Sequence, residues 1–126
     1  MDKLTVLVID DEHLIALLVE TALVEAGFAV VVEHDVASGI ARIETLGPRL
    51  SALVTDIRIG SGSGWDVARH ARGVTHDLPV VYMSADSVRE WAIRGVPESV
   101  MIQKPFAVAQ IVAAVTTLLN SCRPLV

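Results

Sequence analysis

Hydrophobic positions along this chain fall into two alternating textures. Five short runs are apolar at nearly every position and rich in β-branched residues: Leu4–Ile9 (LTVLVI), Phe28–Glu33 (FAVVVE), Ser51–Asp56 (SALVTD), Pro79–Ser84 (PVVYMS) and Ser99–Gln103 (SVMIQ). Each is followed by a longer segment of helical period, at about Glu12–Ala26, Val36–Leu46, Gly64–Arg72, Asp86–Arg94 and Ala107–Asn120. The runs predict strands and the periodic segments predict helices. Strict alternation of the two predicts a parallel sheet, and strands apolar on both faces require helices on both sides of it. Gly27, Gly47-Pro48, Gly73, and Gly95 with Pro97 mark the expected ends of the first four helices. No repeat, low-complexity tract or linker breaks the pattern.

At 126 residues the expectation is a single domain spanning 1–126, with one core and no attached effector domain. Although 52% of the residues are hydrophobic, no apolar run approaches bilayer length, so membrane insertion is not expected. The N-terminal MDKLTVLVIDDE carries acids at Asp2 and Asp10–Glu12, which does not fit a secretory signal, and the expected location is cytoplasmic. A net charge of −5 offers no general attraction to nucleic acid or anionic lipid. The lone Cys122 excludes an internal disulfide and makes a zinc site a poor reading. His13, His34, His70 and His76 fall in separate units without ligand spacing and are expected at the surface.

In an open parallel sheet, ligands bind beyond the carboxyl ends of the strands, where strand order reverses. Those ends carry Asp10 and Asp11 after the first strand, Asp56 after the third, Ser84 after the fourth and Lys104 after the fifth. Each alone is more often a helix cap or a turn residue; all of them at corresponding ends point to one site. Neighbouring carboxylates resist joint ionisation and need a cation, a basic partner or solvent. A hard divalent cation such as Mg²⁺ takes oxygen ligands, for which Asp10, Asp11 and Asp56 are candidates. A carboxylate can also act as a nucleophile and become an aspartyl phosphate, with Lys104 neutralising the transferring group and the Ser84 hydroxyl sensing the phosphoryl oxygens.

DDE at Asp10–Glu12, TDIRIGSGSGWDVA around Asp56, PVVYMSA ending in Ser84-Ala85, and QKPF at Gln103–Phe106 together closely resemble the receiver domain of two-component response regulators, from Leu4 to about Asn120. The resemblance implies a doubly wound (βα)5 flavodoxin-like fold with strand order 2-1-3-4-5. It implies Asp56 as phosphoacceptor, Asp11 as a direct Mg²⁺ ligand, Asp10 as a ligand through water, and the backbone carbonyl of Arg58 completing the set. It further implies that Lys104 contacts the phosphoryl group, that Pro105 follows a cis peptide bond, and that Ser84 moves toward the phosphate. Met101 stands where the family usually has a switch aromatic, and Gly60 where many relatives have Pro. The glycines at 60, 62 and 64 predict a free loop over the site that orders on Mg²⁺ or phosphate binding. Arg58 is expected to point to solvent.

The implied partners are a histidine kinase or histidine phosphotransfer protein as donor and a downstream protein target, with the protein itself a monomer or weak homodimer. Leu14, Leu17 and Val24 widen the apolar face of the first helix beyond a core stripe of Ile15, Leu18, Val19, Ala22 and Leu23, and Leu14 and Leu17, with Trp91, are candidate partner contacts. Such a module catalyses only its own phosphorylation and dephosphorylation, so it is not expected to be an enzyme in the ordinary sense. The alternative is a pseudo-receiver that binds partners without phosphorylation. A phosphatase-type hydrolase would want a second acid where Arg58 stands, and a flavin carrier would want a hydroxyl-rich phosphate loop where the chain has acids.

Overall fold

Side-chain parity along the first strand sets the layering. In β1 (Thr5–Ile9), Val6 and Val8 point to one face and Leu7 and Ile9 to the other, and all four are wholly buried. A strand buried on both faces needs helices on both, as its sequence predicts. In the computed structural model, which describes residues 3–121, the chain continues through α1 (His13–Glu25), β2 (Ala29–Glu33), α2 (Val36–Leu46), a short 3₁₀ turn and β3 (Leu50–Asp56). Then come β4 (Arg58–Ile59), β5 (Gly62–Ser63), α3 (Gly64–Val74), β6 (Val80–Ser84), α4 (Val88–Arg94), β7 (Val100–Gln103) and α5 (Val108–Ser121). Cys122 lies outside the described residues. The parallel sheet has the order β2-β1-β3-β6-β7, which is 2-1-3-4-5 for the five main strands.

Val6, Val8, Ala52, Val54, Val81 and Met83 form one core layer with Val19 and Leu23 of α1 and Ile111 and Val115 of α5. Leu7, Ile9, Leu53, Val80 and Tyr82 form the other with Ile43 of α2 and Trp65, Val67, Ala68 and Ala71 of α3. Trp65 is wholly enclosed here, its ring tilted against Tyr82 at 4.8 Å. Local signals agree with the tertiary arrangement. The Asp35 carboxylate accepts the Ser38 N–H (2.8 Å) at the start of α2, and the Ser63 hydroxyl accepts the Trp65 N–H (3.0 Å) at the start of α3. Gly27 and Gly47 leave α1 and α2 at positive φ, where a side chain is strained. Among the described residues no helix is long and apolar enough to cross a membrane.

Three expectations are corrected. Gly73 does not follow α3 but lies inside it, because the helix continues to Val74 before Thr75 turns out. Leu18 is not part of the α1 core stripe; it is 48% exposed, and Ala16, Val19 and Leu23 are the buried positions. The glycine-rich stretch after β3 is not a free loop. It folds into a two-stranded antiparallel hairpin, β4 with β5, pairing Arg58 with Ser63 and Ile59 with Gly62.

Gly64 closes that hairpin onto the sheet. Its N–H donates to the Ile57 carbonyl at 2.7 Å, and a methyl group at its Cα would run into the Asp56 carbonyl. Backbone cannot step aside as a flexible side chain can, so Gly64→Ala is expected to destabilise the protein by about 2 kcal/mol. Chemical denaturation would measure this; an unchanged midpoint would show that α3 shifts freely.

Candidate functional site

β1 and β3 are the strands at which connection reverses direction, since the chain leaves β1 toward β2 and then returns to the opposite side of β1. Their last paired residues are Ile9 and Thr55, so Asp10 and Asp56 emerge side by side at the reversal point. Asp11, Asp10 and Asp56 each present a carboxylate oxygen within 4.8 Å of the others. Beside them opens a cleft of about 210 Å³ lined by Asp11, Glu12, Asp56, Arg58, Ser84, Ala85, Asp86 and Lys104.

Lys104 is the counterion. Its Nζ lies 3.3 Å from Asp10 Oδ2, 3.3 Å from Asp56 Oδ2 and 3.1 Å from Glu12 Oε1, reaching in from the end of β7. Its backbone N–H donates to the Ser84 carbonyl at 2.8 Å, which ties the end of β7 to the end of β6, and its bond to Pro105 is cis. The other carboxylate oxygens take backbone donors: Asp10 Oδ1 accepts from Glu12 N (2.9 Å) and Asp56 Oδ1 from Ile57 N (2.8 Å).

Burial pushes the Asp56 carboxyl up, and the nearby Asp10 charge pushes it further, to about 6 despite the opposing pull of Lys104. Burial also raises Asp10, against the Glu12 N–H and Lys104. For Lys104, burial works toward the neutral form, but the Asp56 and Asp10 charges outweigh it and hold the ammonium above its usual value. The pocket is thus short of positive charge, with one ammonium shared among three acids. Its donor set of closely spaced carboxylate oxygens, one of them on the exposed Asp11, fits a hard divalent cation.

The Ser84 hydroxyl stands at the opposite lip of this cleft. Its Oγ accepts the N–H groups of Asp86 (3.3 Å) and Ser87 (3.1 Å), two donors just ahead of α4.

A model of the response regulator receiver domain matches residues 6–116. The chain belongs to that family. It is 30% identical over 122 residues to response regulator MprA of Mycobacterium tuberculosis, covering 94% of this chain and 52% of that protein. The chain spans about half the length of the curated relatives it matches. A crystal structure of a response regulator receiver protein from Sinorhizobium medicae matches with TM-score 0.91 at 40% identity, over 95% of this chain and 97% of the other. The receiver domain of the sensor histidine kinase PA1611 from Pseudomonas aeruginosa matches in fold with TM-score 0.79 at 17% identity, over 94% and 99% of the two chains, and that structure holds a magnesium ion in its active-site cleft. The protein is therefore a receiver domain of two-component signalling.

Several contacts of this receiver site were beyond sequence reading. Arg58 does extend into solvent, yet its guanidinium also pairs with Asp86 at 2.9 Å across the mouth of the cleft. Both partners are more than half exposed, so the pair contributes little to stability. His13 and His34 stack with ring centroids 3.8 Å apart, and His34 Nδ1 lies 2.9 Å from the Asp10 carbonyl. The fold sets the start of α1 beside the end of β2 and so brings these two histidines together across 20 intervening positions, which no local spacing signals.

The candidate partner residues divide. Leu14 and Leu17 are exposed on α1, 67% and 55%, and Leu18 joins them. Trp91 instead turns inward. Its indole lies against Gly95, its Nε1 donates to Ser99 Oγ at 2.9 Å, and it packs, as Met101 does, against the α2/α3 core layer. Ile93, 87% exposed, is a large apolar side chain that α4 presents outward.

Proposed function

We propose that this receiver domain accepts a phosphoryl group on Asp56 from a phosphohistidine of a kinase or phosphotransfer protein, in a Mg²⁺-dependent reaction in the cytoplasm, and signals by protein contacts. One observation carries the reading: Asp56 is almost buried yet opens onto a cleft in which Lys104, the Asp10 and Asp11 carboxylates and the Ser84 hydroxyl converge. A carboxylate fixed by the Ile57 N–H and the Lys104 ammonium is oriented for attack on phosphorus. As the Asp56 oxygen–phosphorus bond forms, the phosphorus–nitrogen bond of the donor breaks and its electron pair returns to the imidazole.

Bound Mg²⁺, held by Asp11 and Asp56 directly, by Asp10 through water and by the Arg58 carbonyl, would neutralise charge on the phosphoryl oxygens. Lys104 supplies the second positive charge, already in place. Once the phosphoryl group is attached, its oxygens compete for the Ser84 hydroxyl. Rotation of Ser84 toward them would withdraw the acceptor from Asp86 N and Ser87 N, and the Ser87 carbonyl in turn holds the Trp91 N–H at 3.3 Å. A change at the phosphate would thus reach α4 and Trp91, which packs against the same core layer as Met101. This coupling takes the place of the single switch aromatic that Met101 replaces.

Leu14, Leu17 and Leu18 form an apolar patch on the helix that begins beside the cleft, suited to the helical surface of a phosphodonor. Besides the reaction on its own Asp56, no catalytic activity is assigned.

The test is incubation with acetyl phosphate and Mg²⁺ followed by intact-mass measurement. A single phosphoryl adduct that disappears on chelation of Mg²⁺ is expected. No adduct, together with no Mg²⁺-dependent binding of beryllofluoride, would overturn the proposal.

A further inference from the structure

The turn of the β4–β5 hairpin faces the acidic site, and its geometry is specific to glycine. Gly60 and Ser61 make the two-residue connection, and Gly60 has φ +58°. Nothing lies within 4 Å of where a Cβ would stand, so backbone conformation, and not space, excludes a side chain. Positive φ at the first turn position, without it at the second, is the pattern of a type II′ hairpin turn, which favours glycine there.

That conformation aims the Gly60 N–H at Asp11. The distance to Asp11 Oδ2 is 2.9 Å, across 49 positions in sequence. The hairpin itself is held at both ends. A Cβ on Gly62 would lie 2.5 Å from Val36 Cγ2 of α2, so the second strand is seated tightly on that helix, and Gly64 is bonded to Ile57. The donor is therefore delivered from a fixed platform.

Asp11 needs such a donor more than its neighbours do. Asp10 and Asp56 are buried and each has both oxygens engaged by backbone N–H groups and Lys104. Asp11 is exposed, and among the described residues its only hydrogen-bond donor is Gly60 N. Left alone, its side chain would sample rotamers pointing to solvent. Held by Oδ2, it keeps Oδ1 available to a cation.

We propose that the Gly60 N–H is a positioning group for the divalent-cation site: it holds the Asp11 carboxylate toward Asp10 and Asp56 before the cation arrives. This rests on the Mg²⁺ reading given above. Outer-shell partners of this kind commonly govern metal affinity by 10-fold or more, roughly. Proline can supply neither φ +58° nor an N–H.

Calorimetric titration of the full chain with Mg²⁺ tests this, using wild type, Gly60→Pro and a semisynthetic chain with D-alanine at position 60. D-alanine favours positive φ and keeps the N–H. Gly60→Pro is expected to bind Mg²⁺ roughly tenfold more weakly, and the D-alanine chain to stay within about twofold of wild type. In the metal-free protein, the Gly60 amide should exchange slowly in wild type and faster in Asp11→Ala. Equal Mg²⁺ affinities of wild type and a folded Gly60→Pro would overturn the inference alone. So would a D-alanine chain as weak as Gly60→Pro. Absence of Mg²⁺ binding by wild type would refute the magnesium reading itself, and the inference with it.

Discussion

Asp56→Asn is expected to abolish phosphorylation while making the protein more stable at pH 8. The loss of reaction follows from chemistry, since a carboxamide is not a nucleophile toward phosphorus under these conditions. The gain in stability follows from the electrostatics of the site. The folded chain holds the Asp56 proton up to about pH 6, whereas an unconstrained aspartate releases it near 3.8. Below 3.8 both states are protonated and the folded state benefits from its tighter hold on the proton. As pH rises through 6 that benefit is lost, because the folded state must now carry a buried charge beside Asp10. A neutral side chain removes this cost, by an amount on the order of 1–2 kcal/mol at pH 8. Asparagine keeps an oxygen for the Ile57 N–H, and Lys104 retains Asp10 and Glu12. Denaturant titration from pH 4 to pH 8 would show wild-type stability falling more steeply than that of the variant. Parallel curves would mean that Asp56 titrates like an exposed carboxylate.

Much of this site was legible because strand ends are a place in sequence as well as in space. Once five apolar runs were read as parallel strands, Asp10, Asp11, Asp56, Ser84 and Lys104 had to share one rim, and the structure gathers them there. The contacts that escaped are of another kind. Gly60 with Asp11, Arg58 with Asp86, and His13 with His34 each join segments whose separation depends on how loops and helices pack. The glycine-rich stretch illustrates the limit best. Composition alone says that such a segment is easily bent, and the same freedom that suits a loose loop is what a tight hairpin turn requires. Deciding between them took the seat on Val36 and the acceptor on Asp11. In the same way, helical period counted Leu18 into the α1 core, although the face that α1 buries is narrower than its run of apolar residues.

Lys104→Met should strongly destabilise the resting protein. Among the described residues the ammonium is the one cation in contact with Asp10 and Asp56, both of which are buried. Methionine matches the lysine stem in length and can keep its packing, so the variant isolates the charge. Stranding buried carboxylates without their partner typically costs about 3–5 kcal/mol. The sign of the pH dependence distinguishes this from a packing defect. Without Lys104, both acids should hold their protons to still higher pH than they do in wild type. The folded variant is then least penalised in mild acid, where Asp10 and Asp56 are neutral, and loses stability progressively as pH rises. A loss that is the same at pH 4.5 and pH 8 would trace the damage to the lysine stem and not to its charge. Divalent cation offers a second check. If the three aspartates form the Mg²⁺ site, added Mg²⁺ should recover more stability in Lys104→Met than in wild type, because only the variant lacks any other positive charge between them. Phosphorylation should nevertheless remain strongly impaired, because the cation neutralises one side of the transferring group and Lys104 the other.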